Sequence, residues 1–166
     1  MTKLIIAFVL TFFIGCSSQD KELLNVEPNL VVGKTVTPLK INDQFEKAHT
    51  IQTDTKKLIF AFSKDAAHTC NDYISTKDAE YLNKNSTQFI ADVSAAPSLI
   101  RSMFILPGLK DLKHTVLILD DPVKAAPFRA GVDTEQIIVV RLDNGKITAV
   151  DAINGVKELT SFIEGK

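Results

Sequence analysis

The sequence predicts a three-layer α/β domain in which a mixed central sheet lies between helices. Three observations carry this. Residues 58–62, 89–93 and 116–119 are continuous apolar runs, the pattern of strands buried on both faces. Segments with helical signals separate the first three of these strands, which implies parallel crossovers. Residues 137–142 and 146–150 flank Asp143-Asn144-Gly145. Asn-Gly between two β-rich runs is the favoured hairpin turn, because both residues accept positive φ at little cost.

Element by element, the order reads β-β-β-α-β-α-β-β-β-α. Gly33 opens the folded part. Val36, Leu39 and Ile41 form a short strand that Pro38 interrupts, which suits an edge. Residues 42–44 turn the chain, and 49–51 make a weak second strand. After the 58–62 strand, Ser63 or Asp65 caps a helix that turns Tyr73 and Ile74 inward, and residues 78–82 continue or restart it. Following the 89–93 strand, Ser94 is read as the N-cap of a helix through Phe104, with Pro97 in its first turn. Leu99, Ile100, Met103 and Phe104 give that helix one apolar face, and Pro107-Gly108 stop it. Residues 120–135, with Pro122, Pro127 and Gly131, read as a long irregular segment suited to specificity. Asn154-Gly155 lead into a closing helix with Val156, Leu159 and Ile163 on one face.

The start of the chain carries a different signal. Lys3, the apolar stretch 4–14 and Gly15-Cys16-Ser17-Ser18 follow the plan of an export signal. The stretch is too short to span a bilayer, which needs about 20 apolar residues. Phe13-Ile14-Gly15-Cys16 resembles the lipobox of bacterial lipoproteins, although Phe13 stands where Leu is usual. That resemblance implies cleavage before Cys16, a diacylglycerol on its thiol, and a place in the cell envelope facing the periplasm. Ser17 after the Cys, rather than Asp, points to the outer membrane of a two-membrane cell. The chain then divides into a signal peptide (1–15), a lipidated N-terminus with a flexible tether (16–32) and one domain (33–166). Removing 15 of 166 residues leaves 151, about one domain. Only Lys3 is lost among the charges, so the net charge goes from −1 to −2. Such a body has no basic face for nucleic acid and no cationic cluster for anionic lipid. The expected partners are the membrane, through the lipid, and an envelope protein or small ligand.

The element order, the three apolar strands and the Asn-Gly hairpin with its terminal helix resemble the thioredoxin fold, here with an N-terminal β extension. Gly33 and the segment Leu39-Lys40-Ile41-Asn42-Asp43-Gln44-Phe45 also resemble the opening of exported thioredoxin-like and peroxiredoxin-like proteins. The resemblance implies a nucleophilic Cys where the first central strand meets its helix, since a helix N-terminus lowers a thiol pKa. This chain has Ser63-Lys64-Asp65-Ala66-Ala67-His68-Thr69-Cys70 there. Asp65 or Ala66 falls near the nucleophile's place. Ala67 replaces the Thr of a peroxiredoxin Thr-x-x-Cys, and Thr115 stands where the family's cis-proline is expected. The reading is a redox-inactive scaffold acting as a binding or assembly module, more a non-enzyme than an enzyme.

Two cysteines are present, and with Cys16 lipidated only Cys70 remains as a thiol. One Cys cannot close a disulfide within the chain or run dithiol chemistry alone. The alternative is a thiol-dependent oxidoreductase in which His68 activates Cys70 and an external thiol completes the cycle. Residues two apart on a helix face different ways, so a buried inert thiol beside a surface His fits better. A metal site built from His68, Cys70, His114 and an Asp has no helical or Cys-x-x-Cys ligand pair behind it, and none is expected. The seven glycines contain no Gly-x-Gly, so flavin, nicotinamide or P-loop chemistry has no support and no cofactor is expected. No Gly-x-Ser-x-Gly elbow occurs. Asp120 and Asp121 read as neighbours pointing apart into water.

Overall fold

The structure is a computed structural model and describes residues 26–36, 40–51 and 54–165. Cys16 and the segment around Pro38 therefore lie outside the described residues. A seven-stranded mixed sheet forms the middle layer. Its strands are β1 (Ile41–Asp43), β2 (Ala48–His49), β3 (Lys57–Ala61), β4 (Thr87–Asp92), β5 (Leu117–Leu119), β6 (Ile137–Asp143) and β7 (Lys146–Ile153). They lie side by side in the order β2-β1-β5-β4-β3-β6-β7. β3, β4 and β5 run parallel, while β1, β6 and their hairpin partners pair antiparallel.

The continuous apolar runs become central strands because alternate residues fill opposite layers. Ile59, Ala61, Phe89, Ala91, Val116 and Ile118 enter one core with α1 (Lys64–Ser75), the short α2 (Tyr81–Lys84) and the closing helix α6 (Gly155–Glu164). Leu58, Phe60, Ile90, Leu117 and Leu119 enter the other core. There Phe128 of α5 (Pro122–Arg129) stacks on Phe60 at 5.5 Å between ring centres. In the β6–β7 hairpin, Asn144 and Gly145 hold φ of 48° and 79°, the left-handed pair that a type I′ turn requires.

Several expected features change. Asn42 and Asp43 belong to β1, and the turn falls at residues 44–46, where Glu46 takes φ 65°. The Asp43 carboxylate fixes this turn by accepting from the amides of Phe45 (2.8 Å) and Lys47 (3.0 Å). Residues 120–135 are not wholly irregular, since half of them form α5. Asp121 caps that helix through the amides of Val123 and Lys124, and Pro122 occupies its first turn at no hydrogen-bond cost. Asp121 is thus a cap rather than a free carboxylate. Val156 is exposed, and Leu159, Phe162 and Ile163 form the inner face of α6 instead. Within the segment expected as tether (16–32), Asn29 and Leu30 are held by the domain. Leu30 is only 6% exposed and joins the second core, and the Asn29 amide donates to the Pro127 carbonyl.

The helix after β4 departs most from expectation. Ser94 does not cap it, because its hydroxyl is engaged by Arg129 and its amide donates to Asp92. The helix starts as α3 (Ser98–Ile100), passes through a π turn (Arg101–Ile105) and continues as α4 (Leu106–Lys110). Pro107 does not stop it. A proline has no N–H for the carbonyl four residues back and its ring crowds that carbonyl. The wider turn, in which the Leu106 amide bonds the Arg101 carbonyl, absorbs both defects.

Candidate functional site

Ser63 sits at the junction of β3 and α1. Its extended backbone (φ −112°, ψ 161°) starts the helix, and its hydroxyl oxygen accepts the Ala66 amide at 3.3 Å. Of the two residues proposed as caps, Ser63 is the one used. Asp65, in the first turn, adds a favourable charge at the positive end of the helix dipole. Lys64, Asp65 and His68 are exposed. Cys70 is the seventh residue of α1 and is 0% exposed, packed in the first core with Ile59, Ile74 and Phe89. Burial pushes its thiol pKa up to about 12. His68 faces solvent while Cys70 faces the core, so the structure does not bring these two residues together.

His114, buried ahead of β5, meets the neighbour of Cys70 instead. Its Nε2 lies 3.0 Å from Asn71 Oδ1, its ring leans on Phe89, and its Nδ1 has no partner among the described residues. Burial lowers its pKa to about 4, so the imidazole is neutral at pH 7. Gln44, also buried, holds this loop with both ends of its amide. Nε2 donates to the His114 carbonyl (2.8 Å) and Oε1 accepts the Val116 amide (2.9 Å). Among the described residues no group of three His, Cys, Asp or Glu is placed to hold a metal ion.

The sheet end that carries Ser63 is locked by charge. Asp92, at the end of β4, is buried against Arg129 of α5, and Arg129 also reaches the Ser94 hydroxyl. Arg101 of the π turn donates to the carbonyls of Ser94 (3.3 Å) and Asp120 (2.9 Å). The loop facing the α1 N-terminus is residues 133–136, whose Glu135 carbonyl is 3.5 Å from the Ser63 hydroxyl. The strand after Thr115 runs parallel to β4, while the antiparallel neighbour of β3 is β6, preceded by Gln136. Neither loop has a proline at that place.

A second polar group was not visible as a site in the sequence. His49 Nε2 lies 2.7 Å from Asp43 Oδ2 across the β1–β2 hairpin. Burial raises the Asp43 carboxyl pKa, but the bonds from His49 and from the Lys47 and Phe45 amides outweigh it and hold it below the ordinary value. His49 borders a cleft of about 540 Å³ with Thr50, Thr55, Asn83, Thr87 and Gln88, and Gln88 Oε1 is buried there without a partner among the described residues. Only the spacing Asp43-x5-His49 around a tight hairpin hints at this pair. It offers an oriented imidazole and several hydroxyls, a setting for a small polar ligand, with no thiol.

The same architecture recurs in solved structures. A peroxiredoxin-like protein from Aquifex aeolicus matches at TM-score 0.53 and 12% identity, over 84% of this chain and 90% of that one. The thioredoxin domain of a thiol-disulfide oxidoreductase from Bacteroides vulgatus matches at 0.53 and 14%, over 82% and 98%. The fold is thioredoxin-like. An exposed lipoprotein thioredoxin from Streptococcus pneumoniae matches at 0.51 and 12%, over 78% and 100%. No family model matches the sequence, and no curated protein does. On this thioredoxin-like scaffold, Ser63-Lys64-Asp65-Ala66 occupy the helix N-terminus without a thiol, and the one cysteine of the helix lies in the core. No described helix is long and apolar enough to cross a membrane.

Proposed function

We propose that this chain is a lipid-anchored envelope protein whose thioredoxin-like domain binds rather than catalyses. Lipid on Cys16 fixes it to the membrane, periplasm-facing and at the outer membrane, and the domain serves an envelope protein or small ligand. The burial of Cys70 carries the redox-inactive part of this reading. A thiol that is 0% exposed, with its pKa pushed up to about 12, supplies almost no thiolate at neutral pH and no access to a disulfide. The helix N-terminus, where a thiolate would be stabilised, holds none. With Cys16 acylated, no second thiol exists to resolve a mixed disulfide.

Turnover assays on the full chain test this. Neither a protein disulfide with a dithiol reductant nor an alkyl hydroperoxide should be consumed above background, and Cys70→Ala should leave both traces unchanged. Turnover that disappears in Cys70→Ala would establish the one-cysteine oxidoreductase instead.

A further inference from the structure

The segment 98–109 presents apolar side chains both toward the core and away from it. Ile105, Leu106 and Leu109 pack against the first core, yet the opposite face is left in the open. Leu99 is 64% exposed, Ile100 43%, Met103 58% and Phe104 65%. A contiguous exposed apolar patch marks an interaction surface. The sequence led to an inward apolar face here. The four residues that defined it point outward, and Ile105, Leu106 and Leu109, at and after the π turn, take the inner side.

The face also lacks charge. Arg101 is the only charged residue between Pro97 and Leu109, and its guanidinium is folded back onto the Ser94 and Asp120 carbonyls. Ser102 spends its hydroxyl on the Leu99 carbonyl. The position of the chain's start bears on what covers this surface. The Asn29 amide bonds Pro127, Arg129 two residues on reaches Ser94, and Ser94 bonds Arg101 beside Ile100. The root of the tether and the apolar face are thus joined through one Arg–Ser–Arg bridge. Cys16 stands 13 residues before Asn29, a length that spans up to about 45 Å when extended.

We propose that the outward face of α3 and the π turn, centred on Phe104, rests in the lipid surface to which the chain is tethered. This rests on the lipid anchor at Cys16 read above. The net charge is slightly negative, so charge attraction to an anionic surface does not hold the body there, and the uncharged apolar face makes the contact. The acyl chains hold the protein at the surface, and this face sets how the domain lies on it, with the β7 edge, at one end of the sheet, left in water.

The chain contains no Trp, so a single introduced Trp reports its own environment. Full-length lipidated protein carrying Phe104→Trp, or Thr148→Trp on exposed β7 as control, is reconstituted into phosphatidylethanolamine–phosphatidylglycerol vesicles doped with brominated lipid. An interfacial apolar face sits about 5–10 Å into the headgroup–acyl boundary. The Trp at 104 should therefore emit to the blue and be quenched most by bromines high on the acyl chains, and the Trp at 148 should show neither effect. Both sites are exposed, and matching thermal melts establish that the variants fold. A lipidated protein whose Trp at 104 is no more quenched than that at 148 overturns the docking alone. Blue-shifted but unquenched emission, with a doubled mass in sedimentation, assigns the face to a second copy and overturns it too. A chain whose Cys16 carries no lipid overturns the anchor, and the docking with it.

Discussion

At the scale of single residues, the chemistry of this protein is decided by burial. Cys70 and His68 are two apart in sequence, and the helix sends one to the core and the other to water. In the native protein the Cys70 thiol should resist iodoacetamide at pH 8 and react only after denaturation. Prompt native alkylation would contradict its burial. His114 makes a separate, pH-dependent statement. Its pKa is about 4 in the folded chain against an ordinary value of 6.5, so between those values the unfolded chain binds the extra proton. Stability is then complete above pH 6.5 and is lost as pH falls toward 4, by up to about 3 kcal/mol. Urea melts across this range should show that slope, and His114→Gln should flatten it. An unchanged slope in the variant would assign the acid sensitivity elsewhere. Asp43, held below the ordinary carboxylate value, loses its contribution only at lower pH, so the two effects occupy different windows.

Among the elements, α6 is the one on which the sheet depends. Leu159, Phe162 and Ile163 cover one face of the sheet, and the Arg141 guanidinium lies 5.2 Å from the Phe162 ring centre. Lys57 of β3 donates to the Ile163 carbonyl, a contact that ties the helix end to the central strand. Each such side chain contributes about 1.5–3 kcal/mol on burial, against a total stability of about 5–15 kcal/mol. A chain ending at Asn154 should accordingly lose its cooperative thermal transition, and a truncated protein with the parent melting curve would refute this dependence. The inward residues of α6 were partly legible, since Leu159 and Ile163 recur at helical spacing. Val156 shares that spacing but lies in the first turn, beyond the edge of what the helix covers. The π turn was not legible. A sequence shows that Pro107 removes a donor, and the choice between ending the helix and widening one turn depends on Ile105, Leu106 and Leu109 finding a core beneath them.

At the scale of the whole molecule, anchoring and fold are separate questions with separate tests. Cys16→Ser should leave an unprocessed precursor and abolish incorporation of labelled fatty acid. A variant that is processed normally and recovered in the soluble fraction would rule out the lipoprotein reading. The sequence by itself determined the α/β class, the three parallel central strands, the Asn-Gly hairpin and the closing helix. Each of these is written in short-range order: continuous apolar runs, a turn that needs positive φ at Asn144 and Gly145, and periodic apolar positions. It also showed that no thiol stands at the α1 N-terminus. Only the tertiary structure decided which loop faces that N-terminus, that Asp43 orients His49, that His114 is buried beside Asn71, and that Leu99, Ile100, Met103 and Phe104 turn outward. Apart from the Asp43–His49 pair, six residues apart across a hairpin, these depend on contacts between residues far apart in the chain. Whether an apolar side chain is covered is settled by the surface that the rest of the fold places against it, and spacing along one helix carries no record of that surface.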